Sequence, residues 1–319
     1  MKKMFLFAVA AMVSLSSCVQ TNEVYTGELE EMGFKSAVSR GIIQTNDEMT
    51  YPIAVTAVWD DTKNGEFANY FEKAKFVYDA GTGLWKGEPA RYWPTSGNMQ
   101  FLGLCPYPIS NVTHTYKING ELEKVVWGTI ENNLMDQHDV LFSDLLSVGA
   151  PQTSAQPLLF HHAYAQLNVT FKKTDSAAEV IVKSVKANNV HINGILTVTP
   201  AAGSASTAEW QVGLPVPRFF LPEAPTGVEN GTLDAVLNAN TAFAPTPILV
   251  IPGAQTEIII EYIIDGHDHT YTANLSGDWL MGYKYTYNFI INVNEIMFNC
   301  AVDEWKDGTI GGNNNNTTI

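Results

Sequence analysis

Apolar positions along this chain fall in short runs rich in Val, Ile, Thr, Tyr and Phe, each closed by Gly, Pro, Asn or Asp. That rhythm predicts strands divided by turns and an all-β fold. The runs are YPIAVTAVW (51–59), KAKFVYD (73–79), MQFLGLCPY (99–107), PLLFHHAYAQLNVTFKK (157–173), AEVIVKSVKANNV (178–190), TPILVIP (246–252) and TEIIIEYIID (256–265). Alternation in LNVTFKK and EIIIEYII sets one face on a core and leaves the other wet or half-covered by a second sheet. Phe160, Ala163, Ala165, Leu167, Val169 and Phe171 include such an apolar set, while Gln166, Asn168 and Thr170 face the other way. EIIIEYII and HTYTANL flank Asp265-Gly266, where glycine supplies the positive φ of a tight primed turn, so a hairpin is expected. YKYTYNFIINVN (283–294) alternates aromatic and polar residues and predicts a last long strand. Helical periodicity is scarce; only NGEFANYFEKA (64–74) and HDVLFSDLLSV (138–148) predict a few helical turns each.

The first residues follow a different rule. Lys2 and Lys3 precede the apolar stretch Met4 to Leu15, the layout of a secretory signal over residues 1–17. That stretch is too short to span a bilayer. Leu15-Ser16-Ser17-Cys18 resembles a bacterial lipobox, which makes Cys18 the expected lipidation site. Acyl chains contribute about 0.8 kcal/mol per buried methylene, so several on one cysteine hold a chain at a membrane. Residues 18–40 are polar and acidic and read as a tether. At Gly41 the strand-like character begins, with the isolated Arg40 just before it. GAPQTSAQ is a small-residue linker. It divides an expected N-terminal sandwich (41–152) from a C-terminal one (153–302), and a polar tail (303–319) follows.

Charge narrows the partners. Loss of Lys2 and Lys3 with the signal takes the net charge from −15 to about −17. Nucleic acid and anionic lipid surfaces need basic patches, so neither is an expected partner. Hydrophobic residues make up 45% of the chain, enough for two sizeable cores. Cys105 and Cys300 lie in separate apolar runs; they are either two buried thiols, the simpler reading, or a disulfide if the runs meet.

No pattern of catalytic chemistry emerges. His161 and His162 are strand neighbours and point to opposite faces. His267 and His269 share a face beside the predicted hairpin turn but have no third ligand in sequence, so a solvated turn is expected rather than a metal site. His114, His138 and His191 join no recognisable triad, and Walker, GxSxG and HExxH motifs are lacking. Asp60-Asp61 and Glu30-Glu31 read as solvated loop carboxylates. The seven tryptophans are dispersed, as core or interface residues are. No enzyme, cofactor or metal is expected.

The order of several motifs resembles the fimbrillin family of Bacteroidales surface pilins, including its Mfa-like members. These are the lipobox; ARYWPTSGNMQFLGLCPYP; HDVLFSDLLSVGA leading into LLFHHAYAQLNVTF; WQVG; PILVIPG; and WLMGYKYTYNFIINV. Leu104-Cys105 departs from the family, which more often has small or aromatic residues there. The resemblance implies two tandem transthyretin-like (Greek-key) β-sandwich domains in an outer-membrane lipoprotein that becomes part of an extracellular pilus. It implies partners too: other fimbrillin-type subunits in a homo- or hetero-polymer, an arginine-specific protease, and a host or bacterial surface ligand. In that family the protease removes an N-terminal strand, and a neighbour's strand fills the groove. By position, Arg40 and Gly41 flank the expected cut, and FKSAV is the stretch that would occupy the groove. Ile291, Val293, Ile296 and Phe298 are candidate donor-strand residues. Stalk, tip and anchor roles stay open, as does a monomeric adhesin binding glycan or protein. Asp175-Ser176-Ala177 resembles a short O-glycosylation signal.

Overall fold

The computed structural model describes residues 29–37, 51–107, 109–131, 137–174, 178–221, 232–292 and 295–305. Cys18, Arg40, Gly41, Val293 and the Asp175–Ala177 triplet lie outside them. Every element among the described residues is a strand, as expected of an all-β chain. The N-terminal portion supplies β1 (Gly33–Ala37), β2 (Ile53–Asp60), β3 (Ala68–Asp79), β4 (Leu84–Gly87) and β5 (Asn98–Cys105). Next come β6 (Val112–Tyr116), β7 (Leu122–Glu131), β8 (Leu141–Ser143), β9 (Leu146–Gly149) and β10 (Gln156–His162). β11 (Ala165–Lys173), β12 (Val180–Val190), β13 (Asn193–Thr199) and β14 (Thr207–Val212) follow. The remainder is β15 (Val216–Phe219), β16 (Thr232–Val236), β17 (Ile248–Val250), β18 (Gly253–Ala254) and β19 (Glu257–Ile264). Last are β20 (His267–Asn274), β21 (Asp278–Trp279), β22 (Tyr283–Ile291) and β23 (Ile296–Glu304).

In the N-terminal body, pairing runs β2-β3-β4-β1-β10-β8-β5 and then returns from β5 to β2. The strands therefore form a closed circuit, and β9 continues the line of β8 along β5. Inside it sits an aromatic core that includes Phe34, Phe76, Trp85, Trp93, Phe101 and Phe160. Gly103 permits the closest approach in this core. A Cβ there would come within 2.7 Å of the Phe160 ring, so the bare backbone is what lets β5 and β10 pack.

The C-terminal body is two facing sheets, β17-β11-β22-β23 and β15-β12-β19-β20, the second with β16 added alongside β12. Leu167, Val169 and Phe171 of β11 and Tyr285, Tyr287 and Phe289 of β22 point into their shared core, as the alternation predicts. Trp279 donates its indole N–H to the Tyr287 hydroxyl at 2.9 Å, which satisfies a buried donor. The β19–β20 hairpin turns at Asp265 (φ 47°) and Gly266 (φ 82°), both left-handed as a primed turn requires.

A third sheet, β14-β13-β7-β6, takes two strands from each side of the linker. Together with Val58, Leu104 and Phe142 from the N-terminal circuit and Leu249, Ile251 and Trp305 from the C-terminal body, it forms one further core. The division expected at 152/153 falls ahead of β10, which hydrogen-bonds within the first circuit. The chain crosses between bodies at Ala163 and Tyr164, both fully buried.

Neither expected helix forms. Residues 68–74 belong to β3, where register shifts against β2 and a positive φ at Lys73 (50°) disturb strict alternation. Phe71, Ala74 and Phe76 are left buried at uneven spacing that imitates a helical stripe. Residues 141–149 are β8 and β9, one strand interrupted at Asp144-Leu145.

The tether expected over 18–40 includes β1, and this strand carries the N-terminal core. Met32 and Phe34 are both fully buried while Lys35 between strand partners is exposed. Phe34→Ala is predicted to lower the stability of the uncut chain by about 3–5 kcal/mol. Lys35→Ala should stay within about 0.5 kcal/mol of the parent. Urea unfolding of both variants checks the contrast.

Candidate functional site

What β1 occupies is a slot between β4 and β10. It pairs antiparallel with β4 (Gly33↔Lys86, Phe34↔Trp85) and parallel with β10 from Phe34↔Gln156 to Ala37↔Leu159. Upstream, the Met32 N–H donates to Arg91 O at 2.7 Å and the Trp93 N–H to Glu30 O at 2.9 Å. Thus the segment from Glu30 onward is knit in on both sides. Phe34 meets Phe76 and Phe101 edge-on, with ring centroids 5.1 and 5.2 Å away. Burying a Met or Phe contributes about 1.5–3 kcal/mol, and two of them are a large part of the 5–15 kcal/mol by which domains are usually stable. An empty slot would also expose unpaired N–H and C=O groups on β4 and β10.

The far end of the chain forms an edge. β23 pairs with β22 along its whole length, from Ile291↔Ile296 to Tyr283↔Glu304, and among the described residues no strand lies on its other side. Among the candidate donor residues, Ile291 is fully buried in the C-terminal core, whereas Ile296 only packs against that core. Phe298 is 37% exposed and stacks on Phe289 at 5.4 Å. One residue past β23, Trp305 turns back into the bridging core and lies flat on His162, with ring centroids 3.7 Å apart and planes 8° apart. Its backbone N–H donates to Gly282 O at 2.7 Å. Nothing in sequence linked Trp305 with His162, because the two are brought together only by the crossing of the bodies.

The other candidates fall into ordinary roles. His267 and His269 are exposed on β20, and no group of three or more potential metal ligands occurs among the described residues. His161 and His162 face apart as expected and hold different partners. His161 Nε2 meets Asp144 Oδ1 at 2.8 Å, and His162 Nδ1 bonds Asp139. Asp60, expected to be solvated, is buried at the end of β2. Burial raises its carboxyl pKa, but the N–H groups of Gly65 (2.9 Å) and Asn64 (3.2 Å) outweigh that and hold it below the usual range. It shapes the 60–65 turn. Trp85, Trp93, Trp127, Trp279 and Trp305 are all buried, and no tryptophan platform faces solvent.

Comparison with known proteins gives a consistent result. A family model described as fimbrillin-like matches residues 42–305, a stretch that begins after β1 and ends at Trp305. A fimbrial protein of Bacteroides vulgatus superposes with a TM-score of 0.56 at 15% identity, covering 86% of this chain and 99% of that one. A protein of Bacteroides uniformis, named only as a candidate for cell adhesion, superposes at 0.50 with 13% identity over 87% and 99%. One of Bacteroides ovatus, named likewise, gives 0.50 at 14% identity over 88% and 99%. No curated protein matches the chain in sequence.

Cys105 and Cys300 are both free, one in the N-terminal core and one against the C-terminal core. Burial pushes the Cys105 thiol up to about 12, with Asp139 adding to the effect, and burial pushes Cys300 up to about 11. Thiolates are therefore scarce at neutral pH. The folded chain should show no reaction of either thiol with DTNB at pH 8 over minutes, and two reactive thiols from these positions once urea is added.

Proposed function

Because the chain belongs to the fimbrillin-like family, we propose that it is a structural subunit of a type V pilus that contributes to cell adhesion. Membership of that family makes it a structural protein and not an enzyme. In this reading it is exported as an outer-membrane lipoprotein through Cys18, trimmed between Arg40 and Gly41, and assembled by donor-strand exchange into an extracellular fibre. Its partners are then other fimbrillin-type subunits, an arginine-specific protease and a surface ligand. Its two bodies correspond to the transthyretin-like sandwiches of the family.

The observation that supports this best is the position of β1. The strand ends at Ala37, three residues before Arg40, and it plugs the N-terminal core with Met32 and Phe34. A cut at Arg40 would disconnect this one strand from the rest of the chain. The vacated slot would then offer a neighbour two apolar pockets and two unpaired strand edges. On the donor side, β23 is the part free to be shared, since it is an edge strand. Ile296 and Phe298 are on one of its faces, while Ile291 stays in its own core. Val293, the fourth candidate, lies outside the described residues.

The anchor or monomeric reading draws on a different observation. β23 is fully paired with β22, and Trp305 behind it is only 6% exposed, so releasing this end has a cost that a subunit donating no strand never meets. N-terminal sequencing of surface-released protein separates the two. The stalk or tip reading predicts a chain that starts at Gly41 and an Arg40→Ala variant that is neither trimmed nor polymerised. A released chain still beginning at lipidated Cys18 would sink that reading and favour the anchor.

A further inference from the structure

Where the three sheets meet there is a cleft of about 370 Å³. Phe142 of β8, His161 and His162 of β10, the stretch Ala205 to Ala208 entering β14, Met281 to Tyr283 leading into β22, and Glu304 at the end of β23 line it. Two polar atoms, on side chains that are more than nine-tenths buried, have no hydrogen-bond partner: the Nε2 of His162 and the hydroxyl oxygen of Ser206. Buried polar groups in native proteins are nearly always paired, because a hydrogen bond left unmade in a dry site forfeits the solvation the group had in water. Two such groups in one cleft, joined by no structural bond, mark a place where a bound molecule supplies the missing partners.

The chemistry of those two groups selects the molecule. The Asp139 carboxylate faces His162 Nδ1, so in the neutral imidazole Nδ1 carries the proton and Nε2 keeps its lone pair. A hydroxyl suits Nε2 in either protonation state, because it can give or accept a hydrogen bond. Ser206 Oγ both gives and accepts a hydrogen bond. The carboxylates nearby are already engaged: Asp139 holds His162, Asp144 holds His161 and also accepts the Ser206 backbone N–H at 2.7 Å, and Glu304 on the cleft wall has a partner of its own. They leave no spare charge for a cation, and they repel an anion. Phe142, Met281 and the alanines supply apolar walls, beside the hydroxyl-bearing Thr207 and Tyr283. Hydrogen-bonding groups set among apolar walls suit a ring that carries hydroxyls on its edge and C–H bonds on its faces. We propose that this cleft binds the end of an uncharged oligosaccharide. This goes beyond a role in the fibre and stands whether or not Arg40 is cut.

His162 also reports on the site, since Trp305 lies against its ring. Titration of the purified full chain with lactose, cellobiose and N-acetylglucosamine, followed by Trp fluorescence and calorimetry, should give saturable binding of at least one of them. Ser206→Ala removes a hydroxyl that has no partner, so it should leave the melting temperature unchanged while weakening that sugar about tenfold. Ala208→Leu, which fills the cleft, should abolish binding. The proposal is overturned if none of the three sugars binds, if Ser206→Ala binds as well as the parent, or if sialyllactose or an extended peptide binds in preference to the neutral sugars.

Discussion

One strand interaction closes the N-terminal body: β1 lies between β4 and β10 and drives Met32 and Phe34 into the aromatic core. Without it the circuit β2-β3-β4-β10-β8-β5 has a gap one strand wide, lined by Trp85, Phe76 and Phe101. Since domain stability is a small difference between large terms, a body missing two buried apolar side chains and a whole row of backbone hydrogen bonds is poised to accept a substitute. The same physics that makes β1 stabilising makes its slot adhesive once it is gone. Because β1 is antiparallel to β4 and parallel to β10, those two neighbours run opposite to one another. Any replacement strand thus meets one parallel and one antiparallel partner whichever way it enters. Backbone pairing does not choose its direction; the fit of side chains into the pockets of Met32 and Phe34 does.

The bridging sheet sets how a load would travel through the molecule. β6 and β7 from one side of the linker pair with β13 and β14 from the other, and Trp305 fastens the C-terminal end into the same core. A pull applied at the N-terminal slot and at β23 therefore crosses continuous hydrogen-bonded and apolar contacts rather than a loose tether. This suits a fibre subunit. It also explains why Ala163 and Tyr164, at the crossing between bodies, are fully buried instead of exposed like an ordinary linker.

Much of this was legible in the sequence, and the rest was hidden for identifiable reasons. Strict alternation in β11 and β22 and the Asp265-Gly266 turn are local signals, and each matches what the structure shows. β3 was read as helical because register shifts spread its buried residues to Phe71, Ala74 and Phe76. β8 and β9 were read so because a break at Asp144-Leu145 does the same. The pairing of β7 with β13 spans a long stretch of chain and leaves no local trace. Two apolar residues in an acidic segment, Met32 and Phe34, were too short an alternation to reveal a strand by themselves; the fimbrillin resemblance pointed to FKSAV where periodicity did not. His162, Ser206 and Trp305 belong to three distant segments, so only the folded chain brings them together.

The central claim is that β1 is a removable part of the N-terminal body, and amide hydrogen exchange tests it most directly. Exchange would be followed at β4 and β10 before and after cleavage at Arg40 by an arginine-specific protease, with β1 separated from the cut protein. The account predicts that amides of residues 84–87 and 156–162 lose protection when β1 leaves and regain it when a peptide spanning β23 is added, while β11 and β22 stay protected throughout. Unchanged protection at β4 and β10 after β1 has been removed would contradict it.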